Sequence, residues 1–98
     1  MNLTISDKGQ AWFKSELNLK DGDGIRFFGK YGGSTNVHVG FTTGMTIAEP
    51  STNTLAKIEV NGITYFTEES DEWFFHGFDL AVDYDEKLDE PTYTYTAK

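Results

Sequence analysis

Cysteine is missing from the sequence altogether. That excludes disulfides, thiolate nucleophiles and any metal or cluster site that depends on sulfur. Bases are scarce as well: eight lysines and arginines stand against sixteen acids, a formal charge of −8. Such a field repels phosphate backbones and anionic lipid. Neither nucleic acid nor a membrane is therefore the expected partner, whereas basic proteins and cations are compatible with it. No apolar run approaches the length of a membrane-crossing helix, and the opening "MNLTISDKGQ" has no basic stretch followed by an apolar one. A soluble, cytoplasmic protein is expected.

What is present suits a small folded domain. Ninety-eight residues, 38% hydrophobic and 15% aromatic, give one core, and the absence of repeats or linkers gives one domain over residues 1–98. "NLTI" alternates as a short strand. Ser6 then stands where an N-cap belongs and Asp7 where a helix dipole favours an acid, ahead of an amphipathic helix that ends near "KDGDG". From Gly24 the period becomes two: "GIRFFGK" and "VHVGF" read as strands, and "MTIA" as a third after the "TTG" break. Asn61-Gly62 between "LAKIEV" and "ITYFT" calls for a two-residue type I′ hairpin, pairing Val60 with Ile63 and Ile58 with Tyr65. "EESDEWFFHG" reads as a short second helix capped by Ser70 and stopped by Gly77. "FDLAVDY" alternates again, and "TYTYT" is a last strand after a turn at Pro91. The fold class is mainly β (α+β): compact mixed sheets or a sandwich, one N-terminal helix and a second short helical turn.

The candidate chemistries are sparse. Gly32, Gly33 and Ser34 read as a bend, but neither a phosphate loop nor a dinucleotide loop fits, because a strand rather than a helix follows. "DGDG" at Asp21–Gly24 starts like a calcium loop and fails at Ile25 and Arg26. His38 and His76, with an acid such as Asp83, are the candidate metal ligands, although no ligand spacing supports them. The acids of "DYDEKLDEP" read as a solvent-facing turn rather than a catalytic pair. A hydrolase built on Ser34 and a histidine lacks a nucleophile elbow. The aromatics Trp12, Phe27, Phe28, Trp73, Phe74 and Phe75 read as core.

Taken in order, "LTIS", "DKGQAWFKSEL", "GIRFFGKYGG", an aliphatic strand, "VNGITYF" and "HGFDLAVDYDE" resemble the HesB-like, or A-type (IscA-like), iron–sulfur biogenesis domain, in its short Gram-positive variants. The resemblance spans nearly the whole chain. It implies that Ser34, flanked by Gly32 and Gly33, occupies the loop where family members carry a ligand cysteine, and that a Cys-x-Cys tail is missing. Clusters are held by thiolates, and a serine hydroxyl stays protonated near neutral pH. No cofactor is therefore expected, and an iron–sulfur cluster is disfavoured. The resemblance implies a non-catalytic accessory protein in iron or iron–sulfur metabolism, acting on a protein partner and forming homodimers. Weak iron or divalent-metal binding through His and carboxylates is the alternative, and a small hydrolase-like enzyme a more distant one.

Overall fold

The structure is a computed structural model that describes residues 1–35 and 39–98, the side chains of Ser34 and Val39 excepted. The chain runs β1 (Leu3–Ile5), α1 (Asp7–Glu16), β2 (Gly24–Ser34), β3 (Val39–Ile47), β4 (Thr54–Val60), β5 (Ile63–Glu68), a 3₁₀ turn (Glu69–Asp71), α2 (Glu72–Phe75), β6 (Phe78–Asp85) and β7 (Glu90–Ala97). Two mixed sheets result, ordered β1-β6-β7 and β3-β2-β5-β4, with β1–β6 and β2–β5 parallel. The mainly β expectation with two short helices holds.

Local chemistry explains the elements. The Ser6 hydroxyl accepts the Gly9 N–H at 3.0 Å and starts α1. Asn18, at φ 53°, carries the chain out of it in the left-handed conformation. Asn61 and Gly62 have φ of 52° and 82°, the two positive angles a type I′ turn demands. Val60 then meets Ile63 and Ile58 meets Tyr65, as the alternation predicts. The turn is also held from outside, because Asn61 Nδ2 donates to Gln10 Oε1 of α1 at 2.8 Å.

The sheets and helices share one core. Leu3, Leu80 and Val82 come from the first sheet, Ile25, Phe27, Ile63 and Tyr65 from the second, Phe13 from α1, and Phe74 and Phe75 from α2. Each such side chain contributes about 1.5–3 kcal/mol by leaving water. The rings interlock: Phe27 meets Phe13 edge-on at 5.8 Å and Tyr93 at 6.0 Å, and Phe74 meets Tyr95 at 5.9 Å. Edge-to-face pairs of this kind add about 0.5–1.5 kcal/mol each.

Four expectations are corrected. The bend at Gly32-Gly33 is not a turn. β2 runs through it to Ser34 by way of a bulge, with the pairing jumping from Tyr31↔Phe41 to Ser34↔Val39. The glycines supply the positive φ the bulge needs, 109° and 67°. The "TTG" break is no break, since β3 is continuous across Gly44. A Cβ at Gly44 would lie 2.8 Å from the Phe28 ring, so that glycine seats an aromatic rather than ending a strand. Asp71, not Ser70, precedes α2 as its cap residue, and Ser70 lies inside the 3₁₀ turn. Pro91 lies within β7 opposite Tyr84, and the reversal falls before it, with Asp89 at φ 51°.

Gly29 leaves no room for a side chain under α2: an added Cβ would sit 2.7 Å from the Phe74 ring. Gly29→Ala is expected to cost about 1–3 kcal/mol by overpacking, lowering the melting temperature by several degrees. Thermal unfolding that leaves the midpoint unchanged would show that α2 yields freely at this contact.

Candidate protein-docking face

The antiparallel register of β2 and β3 places Ile25 beside Ile47, Phe27 beside Met45, Gly29 beside Thr43 and Tyr31 beside Phe41, all on the inward face. Ile25, Phe27, Gly29 and Thr43 of that face are covered, while Ile47, on the edge strand, is 53% exposed. Phe74 lies on Gly29, and the Tyr95 hydroxyl bonds Thr43 Oγ1. One pair further on, the cover ends. Tyr31 is 84% exposed and Phe41 partly so, and α2 adds Trp73 at 52%.

These rings form a continuous row. Tyr31 meets Phe41 edge-to-face at 5.6 Å, Phe41 meets Trp73 at 5.1 Å, and Trp73 meets the buried Phe74 at 5.7 Å. The row thus begins in the core and ends in solvent. Aromatic side chains presented with little conformational freedom are the typical anchors of protein interfaces. They offer no nucleophile and no titratable pair, so what the face can do chemically is bind.

An ion pair positions it. Asp71, 3% exposed, accepts Arg26 Nε at 3.1 Å and Nη2 at 2.5 Å, and also the Glu68 N–H at 2.8 Å. Because β5 runs parallel to β2, its exit lies near Phe28. The Asp71–Arg26 fork fixes the 3₁₀ turn there and aims α2 across the inward face. The Arg26 guanidinium also lies 5.6 Å from the centre of the Phe28 ring.

The charge pattern marks the ribbon half of the row, Tyr31 and Phe41, whereas Trp73 follows the acids Glu69, Asp71 and Glu72. From Gly24 to Ala48 there is no acid, only Arg26 and Lys30, while all sixteen acids and the other six bases lie elsewhere, a net −10. This acid-free block was legible in the sequence and was missed, because Trp73, Phe27 and their neighbours were read as one undivided core.

The residues singled out from sequence do not assemble. Gly32 and Gly33 form the bulge just beyond Tyr31, and Ser34 ends β2. His38 lies outside the described residues. The exposed His76 ring takes the Glu72 carboxylate at 3.0 Å, just before β6 begins. Asp83, near the far end of β6, accepts the Ser6 hydroxyl at 2.7 Å and the Tyr84 N–H at 2.8 Å. His76 and Asp83 are therefore separated by most of a strand. Among the described residues no three His, Asp or Glu side chains gather as metal ligands. The acids of the β6–β7 reversal build that turn: Asp85 accepts the N–H groups of Lys87 and Leu88, and Asp89 accepts the Tyr84 hydroxyl, pushing that phenol up to about 12. Among the described residues no helix is long and apolar enough to cross a membrane.

No protein-family model matches the chain. A Bacillus subtilis protein named pyruvate dehydrogenase inhibitor is 45% identical over 95 residues, spanning 97% of this chain and 99% of its own. Uncharacterised proteins of Staphylococcus epidermidis and Staphylococcus saprophyticus are 30% and 28% identical over 95 residues, each match covering 95% of this chain and 97% of the relative. These findings overturn the HesB-like resemblance, and with it the accessory role in iron–sulfur metabolism. The resemblance rested on the order of short strand signals, which many small β proteins share.

Two outcomes are expected. Asp71→Asn leaves Arg26 without its countercharge and is expected to cost about 2–3 kcal/mol, with loss of the near-ultraviolet circular dichroism of the Trp73 ring row. An unchanged spectrum would show that the fork does not set α2. The Ser6 hydroxyl and Tyr84 N–H hold the Asp83 carboxyl below its ordinary 3.8. A depressed carboxylate contributes stability above its unfolded value, and that contribution is lost as pH falls through its folded one. Asp83→Asn should therefore melt lower than the native chain at neutral pH and lose less as the pH falls below the ordinary 3.8 of an aspartate. Parallel melting curves would contradict this.

Proposed function

The chain belongs to the family of the Bacillus subtilis pyruvate dehydrogenase inhibitor, and on that premise we propose that it is a non-catalytic cytoplasmic protein. It binds pyruvate dehydrogenase and lowers its activity, docking through Tyr31, Phe41 and Trp73. The observation that carries the reading is an exposed ring row backed by the core, in a chain similar over nearly its whole length to a protein of that name. A protein that acts by inhibition needs a surface and no reacting group. The ring row supplies the anchors, and Lys30, next to Tyr31 in the acid-free block, supplies a rim charge. The carboxylates already spent on turns and caps support the non-catalytic part of the reading.

Titration of the purified chain into a Bacillus pyruvate dehydrogenase complex tests this. Saturable inhibition is expected. Trp73→Ala and Tyr31→Ala should each weaken it about 10–30-fold, as loss of an aromatic anchor does, with the Tyr31 variant melting like the native chain. Lys30→Glu should slow association at low salt, with the deficit fading as salt rises. Full activity at saturating inhibitor would sink the assignment, and undiminished inhibition by the ring variants would move the docking face elsewhere.

A further inference from the structure

A second feature stands apart from the ring row and shares no residue with it. The face of α1 carrying Asp7, Gln10 and Lys14 looks across a cleft of about 540 Å³ to Asp21 and Asn61 at the hairpin turn, with Tyr65 among the lining residues. That volume falls in the range of small-molecule sites, about 300–1,000 Å³. Its walls are fixed rather than loose. Gln10 donates to the Ile5 carbonyl at 3.2 Å and accepts from Asn61 at 2.8 Å, tying α1 to the turn. Gly62 accepts the Gly22 N–H at 2.8 Å, bringing Asp21 against the turn from the other side. A Cβ at Gly62 would lie 2.5 Å from Asp21 Oδ1.

Tyr65 brings a hydroxyl to the cleft from the core side. Its ring is wedged between Phe27 and Phe13 and the residue is 1% exposed, yet its hydroxyl has no hydrogen-bond partner among the described residues. The hydroxyl is not sealed in the interior: Trp12 Nε1 is the buried side-chain polar atom without a partner among the described residues, whereas the Tyr65 hydroxyl opens onto the cleft as a donor that no protein group takes. Burial also pushes its titration upward, so it stays a proton donor at neutral pH.

The charges around that donor decide the ligand. An anion alone would meet Asp7 and Asp21. A cation alone would meet Lys14 and give the phenol nothing to donate to. Only a molecule carrying both charges answers all of these groups. We infer that the cleft binds a small zwitterion of the amino-acid class, its carboxylate taking the Tyr65 hydroxyl and the Lys14 ammonium, and its ammonium set against Asp7 and Asp21. The seven-residue step from Asp7 to Lys14 spreads the poles over about 10 Å of helix, within reach of these flexible side chains.

Amide chemical-shift titration of the intact chain with each of the twenty amino acids tests this, with acetate and ethylamine as single-charge controls. At least one amino acid should shift Gln10, Lys14, Asn61 and Tyr65 with a saturable Kd, and both controls should fail to do so. Tyr65→Phe keeps the ring and removes only the hydroxyl. It should weaken binding about tenfold while the melting temperature holds. Lys14→Ala, an exposed change, should weaken binding as well. No saturable shift up to about 10 mM of any amino acid would overturn the inference. So would equal binding of acetate or ethylamine, or affinity indifferent to both substitutions. None of these outcomes bears on inhibition of pyruvate dehydrogenase, which is read separately.

Discussion

Asp71 brings a carboxylate into the interior at 3% exposure, where a charge without a partner is not tolerated, and Arg26 answers it through two donors. Such a pair adds little net stability compared with an apolar substitute, because the carboxylate has left water and the guanidinium, 32% exposed, has partly done so. What it adds is geometry. Arg26 comes from the middle of the larger sheet and Asp71 from the turn leaving β5, so the fork ties a strand to a helix that follows a different strand. α2 has a single four-residue turn and could not hold itself in place. Its position is borrowed from this pair and from the hollow at Gly29 that takes Phe74.

The exposed ring row follows from the same placement. Phe74 and Phe75 face the core, so Trp73, next to Phe74 on a single turn, is turned out toward Phe41. The inward face of the β2–β3 ribbon extends one residue pair beyond its cover, and Tyr31 and Phe41 occupy that pair. Surface rings are usually mobile. These are continuous with the core through Phe74, which lowers the ordering entropy a partner must overcome.

Sequence reasoning read the local signals well and the long-range ones poorly. Ser6 as a cap and Asn61-Gly62 as a hairpin are decided by neighbouring residues, and both stand. Gly32, Gly33 and Gly44 were misread because a glycine in a strand pattern has several meanings. Whether it turns, bulges or seats a ring depends on what packs above it, here Thr42 against Gly33 and Phe28 over Gly44. The 3₁₀ turn was misassigned for the same reason, since Asp71 is claimed by an arginine 45 residues away. Period-two alternation assigned Tyr31 and Phe41 to a face. It had no means of saying where the opposing sheet stops.

The segregation of charge gives the ring row a meaning that exposure alone does not. Of the two bases on the acid-free block from Gly24 to Ala48, Arg26 is countered by Asp71, which leaves Lys30 as the charge that sets the ribbon apart in a chain of formal charge −8. An acidic partner surface is repelled least near Lys30, beside the Tyr31 end of the row, while Asp71 and Glu72 precede its Trp73 end. Contact energy then comes from ring burial, which is insensitive to salt, while the choice of approach is screened beyond about 8–10 Å. In the proposed complex affinity thus rests on the rings and the choice of approach on Lys30. The cleft under α1 carries Lys14 as well as Asp7 and Asp21 at its rim and shares no residue with the ring row, so the two surfaces need not compete for one partner.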